Sequence, residues 1–192
     1  MNVQSNQKIR KPDETFLDKA SFMDFLGALI HEQRFAVLEL SKKIGMCSAY
    51  FKSLSQLWKH ICIPKSRKVQ IFNALISTKL LYGLSTMWLG IAEQRKLDGF
   101  QSSCLRKIAA VAPAYHSRVS NARVMELCGA TSLSQTLIRQ QKNLLHKVLQ
   151  QLDEAPMRRS AFLRGSQTPV TEGHTRRVGR LRHTWAAQLL AH

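Results

Sequence analysis

The chain has 192 residues, 44% of them apolar, which is enough to build a hydrophobic core and argues against disorder of the whole chain. Its 29 lysines and arginines outnumber its 12 acids and give a formal net charge of +17. This excess predicts a polyanionic partner, with nucleic acid as the first candidate and an anionic membrane surface as the second.

The chain begins with polar sequence and then becomes apolar. Residues 1–20 are polar and mixed in charge, which predicts a disordered leader without the apolar core of a signal peptide. Residues 22–30 are short and apolar and contain a glycine, which favours a strand or a hairpin arm. From Gln33 the apolar residues recur at helical spacing, although Gly45 could divide this helix. Pro64 marks a new helix start, because proline fits the first turn of a helix and not its interior.

Residues 71–92 form the longest apolar stretch and require comparison with a membrane span. Their length would allow a span, but Lys79 near the middle would cost about 3 kcal/mol. We therefore expect a buried central helix, wrapped by other helices, and no membrane contact. Lys68 and Lys79 are eleven residues apart, so they would share one edge of this helix.

The next two helices show their ends in the sequence. Leu97–Val111 carries the cleanest amphipathic stripe of the chain, and Pro113 ends it. A short helical piece over residues 122–127 should end at Gly129, because glycine readily adopts the left-handed conformation that closes a helix.

A long helix and a basic tail complete the pattern. Ser132 with Gln135 three residues later resembles a capping box and opens an apolar helix that Pro156 should close. Residues 156–180 are rich in arginine, glycine, serine and threonine, which predicts a flexible basic linker. Residues 181–192 should contain a short C-terminal helix.

No constellation in the sequence predicts catalysis. Metal-dependent phosphoryl transfer needs clustered carboxylates, whereas the acids here are few and scattered and no Asp-Asp pair occurs. The histidines are isolated from one another in the sequence. The cysteines have no zinc spacing and are interpreted as reduced core thiols of an intracellular protein: Cys47, Cys62, Cys104 and Cys128. We therefore expect no catalytic residue, no metal and no cofactor.

The positive charge is concentrated in two blocks. Eight lysines and arginines and no acid lie between Glu39 and Glu93, and seven arginines accompany Glu172 alone after Ala155. Such blocks form either a solvated face or a polyanion-binding surface, and two of them in one short chain favour polyanion contact.

Trp185 follows the arginines at positions 176, 177, 180 and 182. This combination is able to contact phosphates while the indole stacks on a base or sugar. Trp185 could equally anchor the terminal helix in the core, and the sequence leaves both interpretations open.

In their order along the chain, several short motifs resemble the region that follows the polymerase palm in non-LTR (LINE-type) retrotransposon reverse transcriptases. They span residues 22–186, and they are Phe25-Leu26-Gly27, Pro64-Lys65 with Arg67, Leu80-Leu81-Tyr82-Gly83 with Trp88, the helix containing Leu97, Phe100, Leu105, Arg106 and Ile108, and Gly179-Arg180 with Arg182 and Trp185. The resemblance implies a helical thumb that grips template and primer through their backbones. The palm with its catalytic aspartates would then lie upstream of Met1.

These observations predict a mainly α protein, with a helical thumb-like bundle over residues 21–155, a short N-terminal strand or hairpin, and a flexible basic C-terminal tail. The expected function is binding of an RNA or DNA backbone without sequence readout. The protein is expected inside the cell, in the nucleus or the cytoplasm. An upstream polymerase palm, on the same or another chain, is expected as a further partner. The alternative is a helical structural or interaction protein that binds an acidic protein. The predicted nucleic-acid-binding residues are Lys65, Arg67, Lys68, Lys79, Arg106, Lys107, Arg176, Arg177, Arg180, Arg182 and Trp185.

Overall fold

The computed structural model describes residues 22–25, 28–31, 36–170 and 185–190, and this part of the chain is mainly helical, as predicted. Two strands, β1 (Phe22–Phe25) and β2 (Ala28–His31), form an antiparallel pair with Phe22 opposite His31, which is the hairpin form of the prediction. The predicted disordered leader lies outside the described residues.

The helical elements follow one another with short connections. They are α1 (Ala36–Ser53), α2 (Ser55–Lys59), α3 (Lys65–Phe72), a π turn (Asn73–Ser77), α4 (Thr78–Leu81), a 3₁₀ turn (Leu84–Thr86), α5 (Ile91–Ile108), α6 (Ala114–Ser117), α7 (Asn121–Leu127), α8 (Leu133–Leu149), α9 (Pro156–Ala161) and α10 (Trp185–Leu190). Helix α1 runs unbroken through Gly45, so this glycine does not divide it. Helix α3 begins directly after Pro64, as predicted.

Helix α5 is the centre of the bundle and contacts α1, α2, α3, α7 and α8. Its apolar stripe is the one that the sequence shows most clearly, and Leu97, Leu105 and Ile108 are buried in the main core. The stripe becomes central because several neighbouring helices bury their own apolar faces against it.

The prediction of a single central helix over residues 71–92 is wrong. Helix α4 ends at Leu81, and Gly83 adopts a φ of 75°, in the left-handed region that glycine enters without steric cost. The chain then passes through the 3₁₀ turn and an extended segment before α5 begins. Leu84 and Leu89 remain fully buried, so the segment is apolar because it fills the core and not because it forms one long helix.

None of the helices in the described part of the chain combines the length and the hydrophobicity that crossing a bilayer demands.

The predicted end of α7 and the predicted start of α8 are confirmed. Gly129 follows α7 with a φ of 57°, and the Ser132 hydroxyl accepts a hydrogen bond from the Gln135 backbone N–H at 3.3 Å. Helix α8 stops at Leu149, before the proline that was expected to close it, and Pro156 instead starts α9.

Buried glutamines hold two of the connections between helices. The Gln101 amide donates to the Thr131 carbonyl at 2.8 Å and accepts from the Leu133 N–H at 2.9 Å, which fixes the entry to α8. The Gln141 amide donates to the Met87 carbonyl at 2.6 Å, in the extended segment before α5. These side chains satisfy backbone groups that have no partner within a helix or sheet.

A second, smaller core lies at the end of α8. Leu145 and Val148 of α8 pack with Phe162, which is 2% exposed, and with Ala186 and Leu189 of α10. The flexible linker predicted for residues 156–180 is therefore wrong for residues 156–170, which contain α9 and a β-bridge between Phe162 and Pro169. The rest of that linker lies outside the described residues.

Replacement of two glycines by alanine should change stability in opposite directions. Gly129→Ala should lower the free energy of unfolding by about 1–2 kcal/mol, because its φ is left-handed, whereas Gly45→Ala inside α1 should raise it by roughly 0.5–1 kcal/mol. No neighbouring atom lies within 4 Å of the point that an added Cβ would occupy at either glycine, so steric clashes do not confuse the comparison. Urea unfolding of both variants measures this, and shifts of the same sign would contradict the assigned backbone conformations.

The cysteines should differ in reactivity at pH 8. Burial raises the pKa of Cys104 to about 12 against the opposing charge of Lys107, so on the order of one molecule in 10⁴ carries the reactive thiolate. Cys62 is exposed and should react in the folded protein. Maleimide labelling followed by mass spectrometry measures both sites, with denatured protein as the control in which both react. Equal native rates for the two would contradict the burial of Cys104.

Candidate nucleic-acid interface

Residues 40–92 contain eight lysines and arginines and no acid. Six of the eight cations in this segment are exposed, and they are Lys42, Lys52, Lys59, Lys65, Arg67 and Lys79. We call these six, together with the exposed Lys107 beside α1, the acid-free surface. Phosphates meet no repelling carboxylate from this segment, as binding of a polyanion requires.

The acid that precedes this segment is directed into the protein. Glu39 and Lys43 form a buried ion pair at 3.3 Å, with side chains 2% and 4% exposed. The Lys43 ammonium also donates to the Tyr82 carbonyl at 2.6 Å and lies 5.4 Å from the centre of the Tyr82 ring. Lys43 therefore joins α1 to the end of α4, and Glu39 adds no negative charge to the surface.

Several of the other acids are also engaged within the protein. Asp98 accepts from the Ser134 N–H at 2.9 Å and from its hydroxyl at 2.6 Å, and three further carboxylates form ion pairs, Glu126 with Arg123, Asp153 with Arg158, and Glu154 with Arg164. The cationic partners in these three pairs all lie outside the acid-free surface.

Two of the predicted binding residues lie against the C-terminal part of α1. The Lys79 ammonium lies 4.9 Å from the centre of the Tyr50 ring, and the Lys107 ammonium lies 5.9 Å from the centre of the Phe51 ring. Both lysines keep exposed side chains. Because the two aromatic residues are consecutive on α1, cations of α4 and α5 are brought to one helix from different parts of the chain.

Lys65 and Arg67 lie at the start of α3, and both are exposed. The Arg67 guanidinium donates to the Gln70 side chain at 3.0 Å. Burial raises the pKa of the Cys128 thiol, and the charge of Lys65 opposes this shift. The charge of Lys65 therefore acts on the end of α7.

The structure removes Lys68 from the candidate surface. Its side chain is 7% exposed, and its ammonium donates to the Trp58 carbonyl at 2.7 Å. The shared edge predicted for Lys68 and Lys79 is also wrong, since the π turn between them accommodates one more residue than an α-helical turn. One residue corresponds to about 100° of helix rotation, which directs the two lysines differently.

Arg106 is a second buried cation and not a surface residue. It is 7% exposed, and its guanidinium donates to the carbonyls of Ala112 and Val119 and to the side chains of Ser117 and Asn121. Its charge thus stabilises the loop between α5 and α7 and is not available to a phosphate.

Trp185 serves as an anchor. Its indole N–H donates to the Ser85 carbonyl at 2.9 Å, and its half-buried ring packs against the second core. Of the two interpretations that the sequence left open, this geometry favours the one in which Trp185 anchors the terminal helix in the core. The predicted binding residues Arg176, Arg177, Arg180 and Arg182 lie outside the described residues.

The structure also presents exposed cations that were not among the predicted binding residues. Helix α8 carries Arg139 and Lys147 on its exposed side, in a stretch from Leu127 to Leu152 that contains no acid. The loop after α5 exposes Tyr115 and Arg118. The absence of acids around α8 is visible in the sequence and could have predicted these cations. The exposure of the loop after α5 is visible only in the structure.

Over the described ranges, no three histidine, cysteine or acidic side chains come together in a group that could hold a metal ion. No protein-family model, curated protein or solved structure matches the chain. The resemblance to reverse transcriptases therefore depends on the sequence motifs alone.

Neighbouring residues at the end of α5 offer a test of the structural role of Arg106. Arg106→Ala should lower the free energy of unfolding by about 3–5 kcal/mol, because it leaves several buried acceptors without a donor. Lys107→Ala should change it by less than about 0.5 kcal/mol, as expected for an exposed side chain. Chemical denaturation of both variants measures the difference, and an Arg106→Ala variant as stable as Lys107→Ala would contradict this role.

Proposed function

We propose that this chain is a non-catalytic nucleic-acid-binding fragment of a retrotransposon-type RNA-directed DNA polymerase, and that it grips the backbone of an RNA or DNA strand without reading its sequence. The observation that carries the proposal is the acid-free surface, where exposed cations of α1, α2, α3, α4 and α5 occur without acids from residues 40–92. The order of motifs that resemble a reverse-transcriptase thumb supports the same function.

The chemistry of the surface suits phosphate contact more than base readout. Its cations are mainly lysines, which act as point charges and do not impose the planar two-point geometry that arginine uses on a base edge. Phosphate contacts position a protein on a strand without conveying sequence. Affinity should therefore depend on salt and strand type more than on sequence.

The proposed partners are an RNA or DNA strand and a polymerase palm, on the same or another chain, that supplies the catalytic aspartates. In this proposal the chain does not polymerise by itself and acts inside the cell, where such templates occur. A purified chain that extended a primer in the presence of magnesium would contradict the non-catalytic part of the proposal.

The salt dependence of binding tests the proposal directly. We expect the logarithm of affinity for a labelled oligonucleotide to fall linearly with the logarithm of salt, by about 0.7 per phosphate contact on a single strand and about 0.9 on a duplex. A variant with Lys65, Arg67, Lys79 and Lys107 replaced by glutamine should lose about 3 units of this slope. Fluorescence anisotropy over a series of salt concentrations measures it.

A matched control removes the same charge elsewhere. It replaces Arg95, Arg123, Arg159 and Arg164, which are exposed and lie outside the acid-free surface, by glutamine. The control should change the slope by less than about 1 unit. Equal losses in the two variants would contradict a localised interface. Absence of nucleic-acid binding at low salt, together with binding to polyglutamate, would favour the alternative of an acidic protein partner.

A further inference from the structure

The connection between α5 and α7, residues 109–120, presents an aromatic side chain to solvent. Tyr115 is 79% exposed, and its ring centre lies 4.3 Å from that of His116, with 44° between the planes. Burial of a large apolar side chain contributes roughly 1.5–3 kcal/mol to stability, and the exposed Tyr115 ring does not make this contribution. The exposed ring face is available for stacking, and we call residues 109–120 the Tyr115 loop.

The buried Arg106 side chain holds the Tyr115 loop in place through hydrogen bonds to its backbone. The guanidinium binds the Ala112 carbonyl at 3.2 Å and the Val119 carbonyl at 2.5 Å, so one buried cation joins both sides of the loop. The Ser117 hydroxyl adds a bond to the Ala112 carbonyl at 3.0 Å and accepts one from the Val119 N–H at 3.3 Å. The backbone on both sides of Tyr115 is thus held in place before any ligand binds, which lowers the entropic cost of binding.

The same loop contains backbone strain. Ala110 has a φ of 56° and Arg118 a φ of 53°, and neither residue is a glycine. Each left-handed non-glycine residue costs roughly 1–2 kcal/mol. The hydrogen bonds of Arg106 offset this cost, and the short helix α6 between the two residues, which carries Tyr115, contains no buried residue.

The charges around the Tyr115 loop favour an anion. Residues 99–125 contain no acid, and the exposed cations Lys107 and Arg118 lie at and near the ends of the loop. Arg123, which follows in α7, is engaged by Glu126 at 2.8 Å. An aromatic face beside exposed cations is the combination that binds an unpaired nucleotide, with the base on the ring and its phosphate on the cation.

We propose that the Tyr115 loop binds an unpaired nucleotide of the bound strand, with Tyr115 stacking on the base and Arg118 contacting a phosphate. This inference depends on the proposed nucleic-acid binding and adds a preference for single-stranded segments, since bases stacked within a duplex do not offer a face to the ring. Lys107 belongs to the acid-free surface and lies two residues before the Tyr115 loop, so the two proposed contacts are close in sequence.

The test compares a single-stranded oligonucleotide with a duplex of the same length. Tyr115→Ala should weaken binding to the single strand about 5- to 50-fold, and binding to the duplex by less than about 2-fold. Tyr115→Phe keeps the ring and should stay within about 2-fold of the original chain on both. Leu152→Ala, which truncates another exposed apolar side chain (83% exposed), serves as the control and should change neither affinity.

Salt dependence separates the two residues of the site. Tyr115→Ala removes no charge and should leave the salt slope unchanged, whereas Arg118→Gln should lower it by about 0.7 on a single strand. If the unmodified chain binds no nucleic acid, both this inference and the proposed function are overturned. If it binds with a steep salt slope but Tyr115→Ala weakens single strand and duplex equally, or neither, the inference alone is overturned.

Discussion

Buried cations that bind backbone carbonyls hold this fold together at the points where the chain reverses. Lys68 holds the carbonyl of Trp58 at the end of α2, Lys43 holds that of Tyr82 at the end of α4, and Arg106 holds both sides of the loop after α5. A buried carbonyl left without a donor costs about 1–3 kcal/mol, so each reversal depends on its cation. Only with these reversals in place can the helices pack against α5.

This arrangement divides the positive charge into two groups with different roles. Lys43, Lys68 and Arg106 stabilise the interior, and the exposed lysines and arginines of the acid-free surface face solvent. The net charge alone therefore overstates the number of cations that can meet a polyanion. At the end of α5 the two groups are neighbours in sequence, since Arg106 holds the Tyr115 loop from inside while Lys107 faces outward, so the stability of the fold and the proposed binding are linked there.

Periodicity predicts the elements whose pattern is local, which are α5, α8 and the glycine end of α7. It fails for residues 71–92, because the segment is apolar on both sides of Gly83 and only the backbone at that residue shows the break. Periodicity also fails for Lys68 and Arg106. The spacing of a cation along a helix is the same whether its side chain is buried against a backbone carbonyl or exposed to water, so the sequence pattern does not distinguish the two cases. Phe162 lies in a polar stretch, and the residues that bury it come from α8, earlier in the chain, and from α10, more than twenty residues later.

The acid-free surface also has a consequence for the folded state itself. Exposed like charges on a small protein repel one another, and this repulsion destabilises the compact chain more strongly as the ionic strength falls. A polyanion bound there removes the repulsion and, by mass action, stabilises the folded state over the unfolded one. The occupied protein would then be more resistant to unfolding than the free one, although none of its internal contacts has changed.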